Sequence, residues 1–255
     1  MTTLFVASRS HEPNNARWEP VGRLDHDHGI YRFSYTRGAE TLPGFSPLFG
    51  MKDLRGVYES EELFPIFKNR LLTERRAEYE AYLTWSGFDA LNPPDPIALL
   101  AVTEGIRKTD SVELFPCPMP DANGMFTNKF FMHGLRYMPD AARERVTALR
   151  EQEELFLMPD LCNAADPNAV ALRTDLDRFI VGYVPRYLAR DLRRLFSKCS
   201  PENTHVFVDR VNGEAPLQQR LLCRMEACWP DGFTPCSDEA FQSLAEVESF
   251  EVAEH

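Results

Sequence analysis

Hydrophobic spacing changes period several times along the chain. Ile30-Tyr31-Arg32-Phe33-Ser34-Tyr35 alternates apolar and polar positions with period two, as a half-buried strand does. Leu4 to Ala7 and Trp18 to Leu24 form two earlier strand candidates, and Asp27-His28-Gly29 is a hairpin turn signal before Ile30. Pro43-Gly44 and Pro47 then mark a loop. From Ser60 to Phe88 the spacing becomes helical. Leu63, Phe67, Leu71 and Leu72 share one face; Ala77, Tyr82, Leu83 and Trp85 suggest a second helix that stops at Gly87. After Pro93-Pro94-Asp95-Pro96, Ile97 to Val102 predicts a short third helix, and Val112 to Phe115 a closing strand.

Three prolines and a glycine between Pro116 and Gly124 can continue neither element, so the domain boundary falls there. Beyond it, strands are predicted over Lys129 to Tyr137, Glu154 to Met158, Ala169 to Arg173, Phe179 to Val184, His205 to Val211 and Leu221 to Glu226. Asp140 to Gln152 reads as a polar helix or turn. Pro185 opens a helix to about Ser197, because its fixed φ suits a first helical position. The fold class is α+β: two small β-barrel-like modules with helices, at 1–116 and 125–230, joined by a linker at 117–124 and followed by an acidic tail at 231–255.

Hydrophobic residues at 44% and charged residues at 26% are ordinary for a globular chain with its own core. The net charge of −11 argues against a nucleic-acid binder held by bulk charge, though not against a local basic site. Residues 227–255 hold seven acids and no Lys or Arg, so this tail either stays solvated or folds back on the arginine-rich helix near 186–194. Six cysteines show no C-x-x-C pair, and no run approaches the length of a membrane span. The expectation is a reduced, cytoplasmic protein with no membrane partner.

Catalytic signatures are absent. The chain has no phosphate-binding G-x-x-x-x-G-K-[ST] loop, no G-x-G-x-x-G, no G-x-S-x-G elbow and no H-E-x-x-H. Asp25-His26-Asp27-His28 offers metal-ligand types, but four consecutive residues in a turn cannot all face one ion, so it reads as a polar hairpin tip. Cys223 and Cys228 near His205 read as core cysteines. No enzyme activity, cofactor or metal is expected.

Three blocks in the second half stand in one order: Gly134-Leu135-Arg136-Tyr137, Asp166-Pro167-Asn168-Ala169-Val170-Ala171-Leu172, and Val181-Gly182-Tyr183-Val184-Pro185-Arg186. Together they resemble the HIRAN domain. The resemblance implies an OB-like barrel that binds single-stranded DNA and, in its end-binding members, a free 3′ end. Arg136 offers a fork for phosphate and Tyr137 a face for a base. Asp166 matches the aspartate that takes the terminal hydroxyl in those members. Asn163, Tyr183, Arg186 and Arg190 occupy other positions of the implied DNA surface. Met138 and Ala165 stand where end-binding members carry aromatics, which implies a weaker grip. On residue chemistry alone, Asp166 and Asn168 can instead cap a turn, and Arg136 can pair with an acid.

Val21-Gly22-Arg23-Leu24, Tyr31 to Tyr35, Pro47-Leu48, Phe67-Lys68-Asn69-Arg70-Leu71-Leu72 and Asp95 to Leu100 look like the N-terminal subdomain of HipA-type serine kinases. The kinase motifs themselves have no counterpart. That resemblance implies a separated, antitoxin-like module with a HipA-type kinase as partner. Leu42, Phe45, Leu48 and Phe49, set among Pro43, Gly44 and Pro47, are the expected partner-binding rim. The leading expectation is therefore a non-catalytic regulator of such a kinase with a DNA-contacting HIRAN module. The alternative is a sensor of single-stranded DNA or 3′ ends.

Overall fold

The structure is a computed structural model and describes residues 2–10, 17–107, 109–198 and 203–245. Packing divides the chain into two compact units, each assembled from separated segments. The first gathers the described residues up to Leu71, Glu104–Cys117 and the described residues from Ser237 onward; the second comprises Leu72–Thr103 and Pro118–Cys236. Among the described residues, no helix is long and apolar enough to cross a membrane.

In the first unit, β1 (Thr2–Arg9), β2 (Trp18–Asp27), β3 (Ile30–Tyr35), β4 (Val57–Ser60) and β5 (Val112–Pro116) form an antiparallel sheet in the order β4-β3-β2-β1-β5. The β2–β3 hairpin turns through His28 and Gly29 at φ 47° and 80°, the positive values a two-residue hairpin loop needs to match strand twist. The alternation of Ile30–Tyr35 persists as burial: Phe33 and Tyr35 are fully enclosed. Two one-turn helices, α1 (Gly38–Thr41) and α2 (Pro65–Lys68), lie in the connections.

The longer helix suggested by Leu63, Phe67, Leu71 and Leu72 stops after one turn. Just past its end lies Arg70, whose buried guanidinium donates to the carbonyls of Gly105 and Val112 at 3.0 and 3.1 Å and pairs with Asp110 at 2.9 Å. A buried charge needs such partners.

Tyr35 determines the fate of the proposed rim. Its hydroxyl accepts the Leu48 N–H at 2.6 Å and donates to the Met51 carbonyl at 2.7 Å. Burial pushes the phenol up to about 12. This anchor draws the 42–51 loop onto the sheet. Leu42 and Leu48, expected on an exposed rim, are buried, and Phe45 is half-buried with its ring edge-on to Tyr35. Phe49 alone of the four is exposed, at 94%. The Tyr35 hydroxyl holds the Leu48–Met51 end of this loop, and the Leu42 N–H bonds to the Gly38 carbonyl.

The chain beyond Cys236 also differs from a solvated acidic tail. Phe241 stands edge-on to Phe5 and Phe115, with ring centroids 4.7 and 6.4 Å apart, and Leu244 is buried beside it. The backbone joins in through Arg37 N–H to Gln242 O and Leu244 N–H to Tyr35 O, and Arg37 pairs with Glu239 at 2.7 Å. Of the described tail residues, 237–245 are thus a strap on the first unit's own sheet, whereas 231–236 group with the second unit, where the Cys236 N–H donates to Asp191 Oδ2 at 3.2 Å and Phe233 lies under Arg194; Glu246, Glu248, Glu251 and Glu254 lie outside the described residues.

The second unit contains β6 (Met125–Phe131), β7 (Glu154–Pro159), β8 (Val170–Arg173), β9 (Ile180–Tyr183), β10 (Thr204–Val211) and β11 (Leu221–Cys228), in the order β6-β11-β10-β7-β8-β9. Its helices are α3 (Tyr79–Trp85), α4 (Pro96–Thr103), α5 (Asp140–Thr147) and α6 (Arg186–Phe196). The sequence reading assigned α3 and α4 to a module at 1–116. They group instead with the second unit: Val102 of α4 packs with Phe131 and Leu222, and Asn212 Nδ2 donates to the Trp85 carbonyl at the end of α3 at 3.0 Å. α6 begins directly after Pro185 and buries Tyr187, Leu188, Leu192 and Leu195, a stripe at helical spacing.

Removing the strap tests its contribution. Phe241→Ala should lower the amide protection of β1 and β2 by about 3 kcal/mol, the cost of emptying a buried phenylalanine site. Truncation after Cys236 should lower it at least as far. Unchanged hydrogen exchange in these strands would contradict the packing described.

Candidate nucleic-acid interface

The second sheet comes back on itself at one point. Past β6, Met132 N–H still bonds to Leu221 O, whereas the next residue, His133, exchanges two 2.9 Å backbone hydrogen bonds with Tyr183 on the opposite edge strand. This seam requires Gly182. A Cβ there would lie 2.5 Å from Met132 Sδ and 2.7 Å from the His133 carbonyl oxygen. Gly134 follows at φ 80°, reversing the chain into a single 3-10 turn, Leu135–Tyr137. The strand expected from Lys129 to Tyr137 therefore ends at Phe131, and the rest is spent on the seam and the turn.

The turn buries Leu135 and projects Arg136 and Tyr137 outward; Tyr137 is 70% exposed. The Arg136 guanidinium carbon lies 4.5 Å from the Tyr137 ring centroid, a cation–π distance, and a guanidinium N–H donates to the Tyr137 hydroxyl. Among the described residues no carboxylate pairs with Arg136, so one of the alternatives left open by the sequence falls away.

Across the seam, the loop from Asp160 to Ala169 between β7 and β8 is built by short polar side chains bonding to nearby backbone. Asn163 Oδ1 accepts the N–H groups of Ala165 and Asp166 at 3.0 and 3.1 Å. Asp166 Oδ1 accepts the Asn168 N–H at 2.9 Å, so Asp166 does cap a turn. Asp160 donates its N–H to Ala169 O and accepts the Cys162 N–H at 3.3 Å. Asp160 Oδ2 accepts from Asn163 Nδ2 and from the Tyr183 hydroxyl, both at 3.0 Å. The bonds from Asn163 and Tyr183 hold the Asp160 carboxyl below its usual range. Burial, reinforced by the neighbouring Asp160 charge, pushes the Tyr183 phenol up.

Arg186, at the first position of α6, donates to the Ala165 carbonyl at 2.9 Å and has Nε 3.8 Å from Asp166 Oδ2. Arg190 is half-buried one turn later. Arg194 pairs with Asp191 at 3.4 Å and lies 5.5 Å from the Phe233 ring centroid. The basic stripe of α6 is therefore partly spent within the unit rather than presented as an open track.

The fold thus connects Asn163, Asp166, Tyr183 and Arg186 through shared hydrogen bonds, with Arg136 and Tyr137 attached through the His133–Tyr183 pair. Asp160 was missed by sequence reasoning. Its signal was modest: an aspartate after a strand-ending proline, with an asparagine three positions on.

Other candidates go to structural duties. Asp25 accepts from Thr3 and Arg23, His26 stacks on Tyr31 at 4.1 Å, and the His28 side chain is 94% exposed. Cys223 is fully buried, which pushes its thiol up, whereas Cys228, also expected in the core, is exposed at the end of β11; His205 Nδ1 lies 2.7 Å from Glu154 Oε1. Among the described residues, no group of three or more His, Cys, Asp or Glu could hold a metal ion.

Residues 125–226 match the family model of the HIRAN domain. The matched residues run from β6 into β11 and include the cluster above. Two solved structures are similar to 44% of the chain. One is a protein from Lactobacillus plantarum, 20% identical, with 93% of that chain covered and a TM-score of 0.31. The other is the HIRAN domain of human HLTF, 16% identical, with 84% covered and a TM-score of 0.32. A comparison with curated protein sequences gives no match. The HipA-like reading of residues 1–116 finds no support among these comparisons.

The seam makes a direct prediction. Gly182→Ala should destabilise the second unit by about 1–3 kcal/mol, since the new methyl meets backbone on one side. Hydrogen exchange at His133 and Tyr183 reads the loss; unaltered protection at both amides would contradict it.

Proposed function

We propose that the protein is a non-catalytic DNA-binding protein whose HIRAN domain takes single-stranded DNA or a strand end at the cluster formed by Arg136, Tyr137, Asn163, Asp166, Tyr183 and Arg186. The observation that carries this reading is the Arg136–Tyr137 pair. An exposed ring offers a stacking face, and an adjacent guanidinium, with no carboxylate partner among the described residues, offers a phosphate contact. The Asp160–Ala169 loop supplies hydrogen-bonding groups at fixed positions beside them.

Electrostatics limit how tightly this site holds a strand. Asp160 and Asp166 add negative charge to the cluster, and Arg186 already serves Ala165 and Asp166. Met138 and Ala165 stack no base. A modest affinity follows, governed by one or two phosphate contacts and one stacked base.

The kinase-partner reading depends on an apolar rim in the first unit. With Leu42 and Leu48 buried, that rim is reduced to Phe49 and part of Phe45. The Arg136–Tyr137 pair and the domain match support the DNA reading instead.

Anisotropy of a labelled oligothymidine titrated with the full chain tests the proposal. The logarithm of the affinity should fall with the logarithm of salt with a slope between about −0.7 and −1.4, as for one or two phosphates on a single strand. Arg136→Ala should weaken binding by about tenfold at low salt. Absence of binding to both single strands and recessed ends at low salt, or an Arg136→Ala variant that binds as the parent does, would refute it.

A further inference from the structure

We propose that Asp160 is a positioning residue for the DNA site, holding the Tyr183 ring and the Asn163 amide in the arrangement that receives the strand. The inference rests on the DNA-binding reading above and adds to it a residue outside the three sequence blocks.

A carboxylate beside a phosphate-binding cluster is unfavourable unless it does something else, because it repels the ligand. Asp160 has such a task. One oxygen, Oδ2, accepts from both the Tyr183 hydroxyl and Asn163 Nδ2 at 3.0 Å, while Oδ1 takes the Cys162 N–H. The two donors serve different halves of the site. Asn163 uses its other amide atom to fix the Ala165 and Asp166 N–H groups, so holding Nδ2 fixes which way the amide points. Tyr183 contributes the backbone of the seam, and a Cβ on Gly134 would lie 3.0 Å from its ring atom Cδ2. The ring is therefore bounded by Gly134, where the Arg136–Tyr137 turn begins, and tied at its hydroxyl by Asp160. One carboxylate thereby sets the β7–β8 loop relative to the turn that carries the exposed arginine and tyrosine.

Two readouts on the full chain test this, one with DNA and one without. With labelled oligothymidine at low salt, Asp160→Ala should weaken binding by about tenfold. Asp160→Asn, which keeps an acceptor oxygen for both donors, should recover most of that loss. Asp160→Ala combined with Tyr183→Phe should be no weaker than the weaker single variant, because the two act through one bond. Without DNA, the tyrosinate absorbance assigned to Tyr183 by difference from Tyr183→Phe should appear at lower pH in Asp160→Ala. Removing the negative acceptor makes loss of the phenolic proton easier.

If Arg136→Ala loses affinity while Asp160→Ala binds like the parent, the positioning role is overturned and the DNA reading stands. An unmoved Tyr183 titration overturns the proposal independently of any DNA result. If the parent chain binds no strand at all, the DNA reading falls and the proposal with it.

Discussion

The close approach of β9 to the residues after β6 is the constraint on which the site depends. Two backbone hydrogen bonds between His133 and Tyr183 join the opposite edges of a six-stranded sheet, and they form only because residue 182 has no side chain. Pairing the edges removes unsatisfied strand backbone, which would otherwise be open to solvent or to another chain. The same join sets the positions of everything chemically notable in the unit. Gly134 reverses the chain immediately after it, so Arg136 and Tyr137 project at the seam. Tyr183 is half of the bridging pair. Arg186 opens the helix three residues later, and its reach to Ala165 brings in the β7–β8 loop.

The first unit shows the same dependence on contacts far apart in sequence. Tyr35 holds Leu48 and Met51, Arg70 holds the 105–112 segment, and Phe241 closes over Phe5 and Phe115 from more than a hundred residues away. None of these is a local propensity effect. Each buries a polar or aromatic group whose partner is supplied only by the completed fold, so sheet and connections stabilise one another. Folding dominated by such non-local pairs is expected to be slow compared with a helical chain of similar size.

What the sequence disclosed follows from this distinction. Period-two alternation located β3 residue for residue, the Pro185 signal placed α6, and the His28-Gly29 turn was legible because hairpin geometry demands particular residues. The HIRAN-like blocks pointed to the residues that now form one cluster, since Gly182, Arg136 and Asp166 occupy motif positions. The failures share a physical cause. Leu42 and Leu48 read as surface because nothing local covers them, and α2 is shorter than its apolar spacing suggests, with Arg70 just beyond it held by acceptors distant in sequence. α4 packs through Val102 on Phe131 and Leu222, beyond the linker. Asp160 escaped because its importance comes from two donors, Asn163 and Tyr183, that only the fold brings to one oxygen.

The claim that the seam-bounded cluster is where a strand binds has one most direct test. Backbone amide resonances of the full chain can be followed while a short unlabelled single-stranded oligonucleotide is added at low salt. The account predicts shifts concentrated at Gly134–Met138, in the Asp160–Ala169 loop and from Gly182 to Arg186, with the sheet of the first unit unmoved. Shifts confined to other surfaces, or none at saturating oligonucleotide, would contradict it.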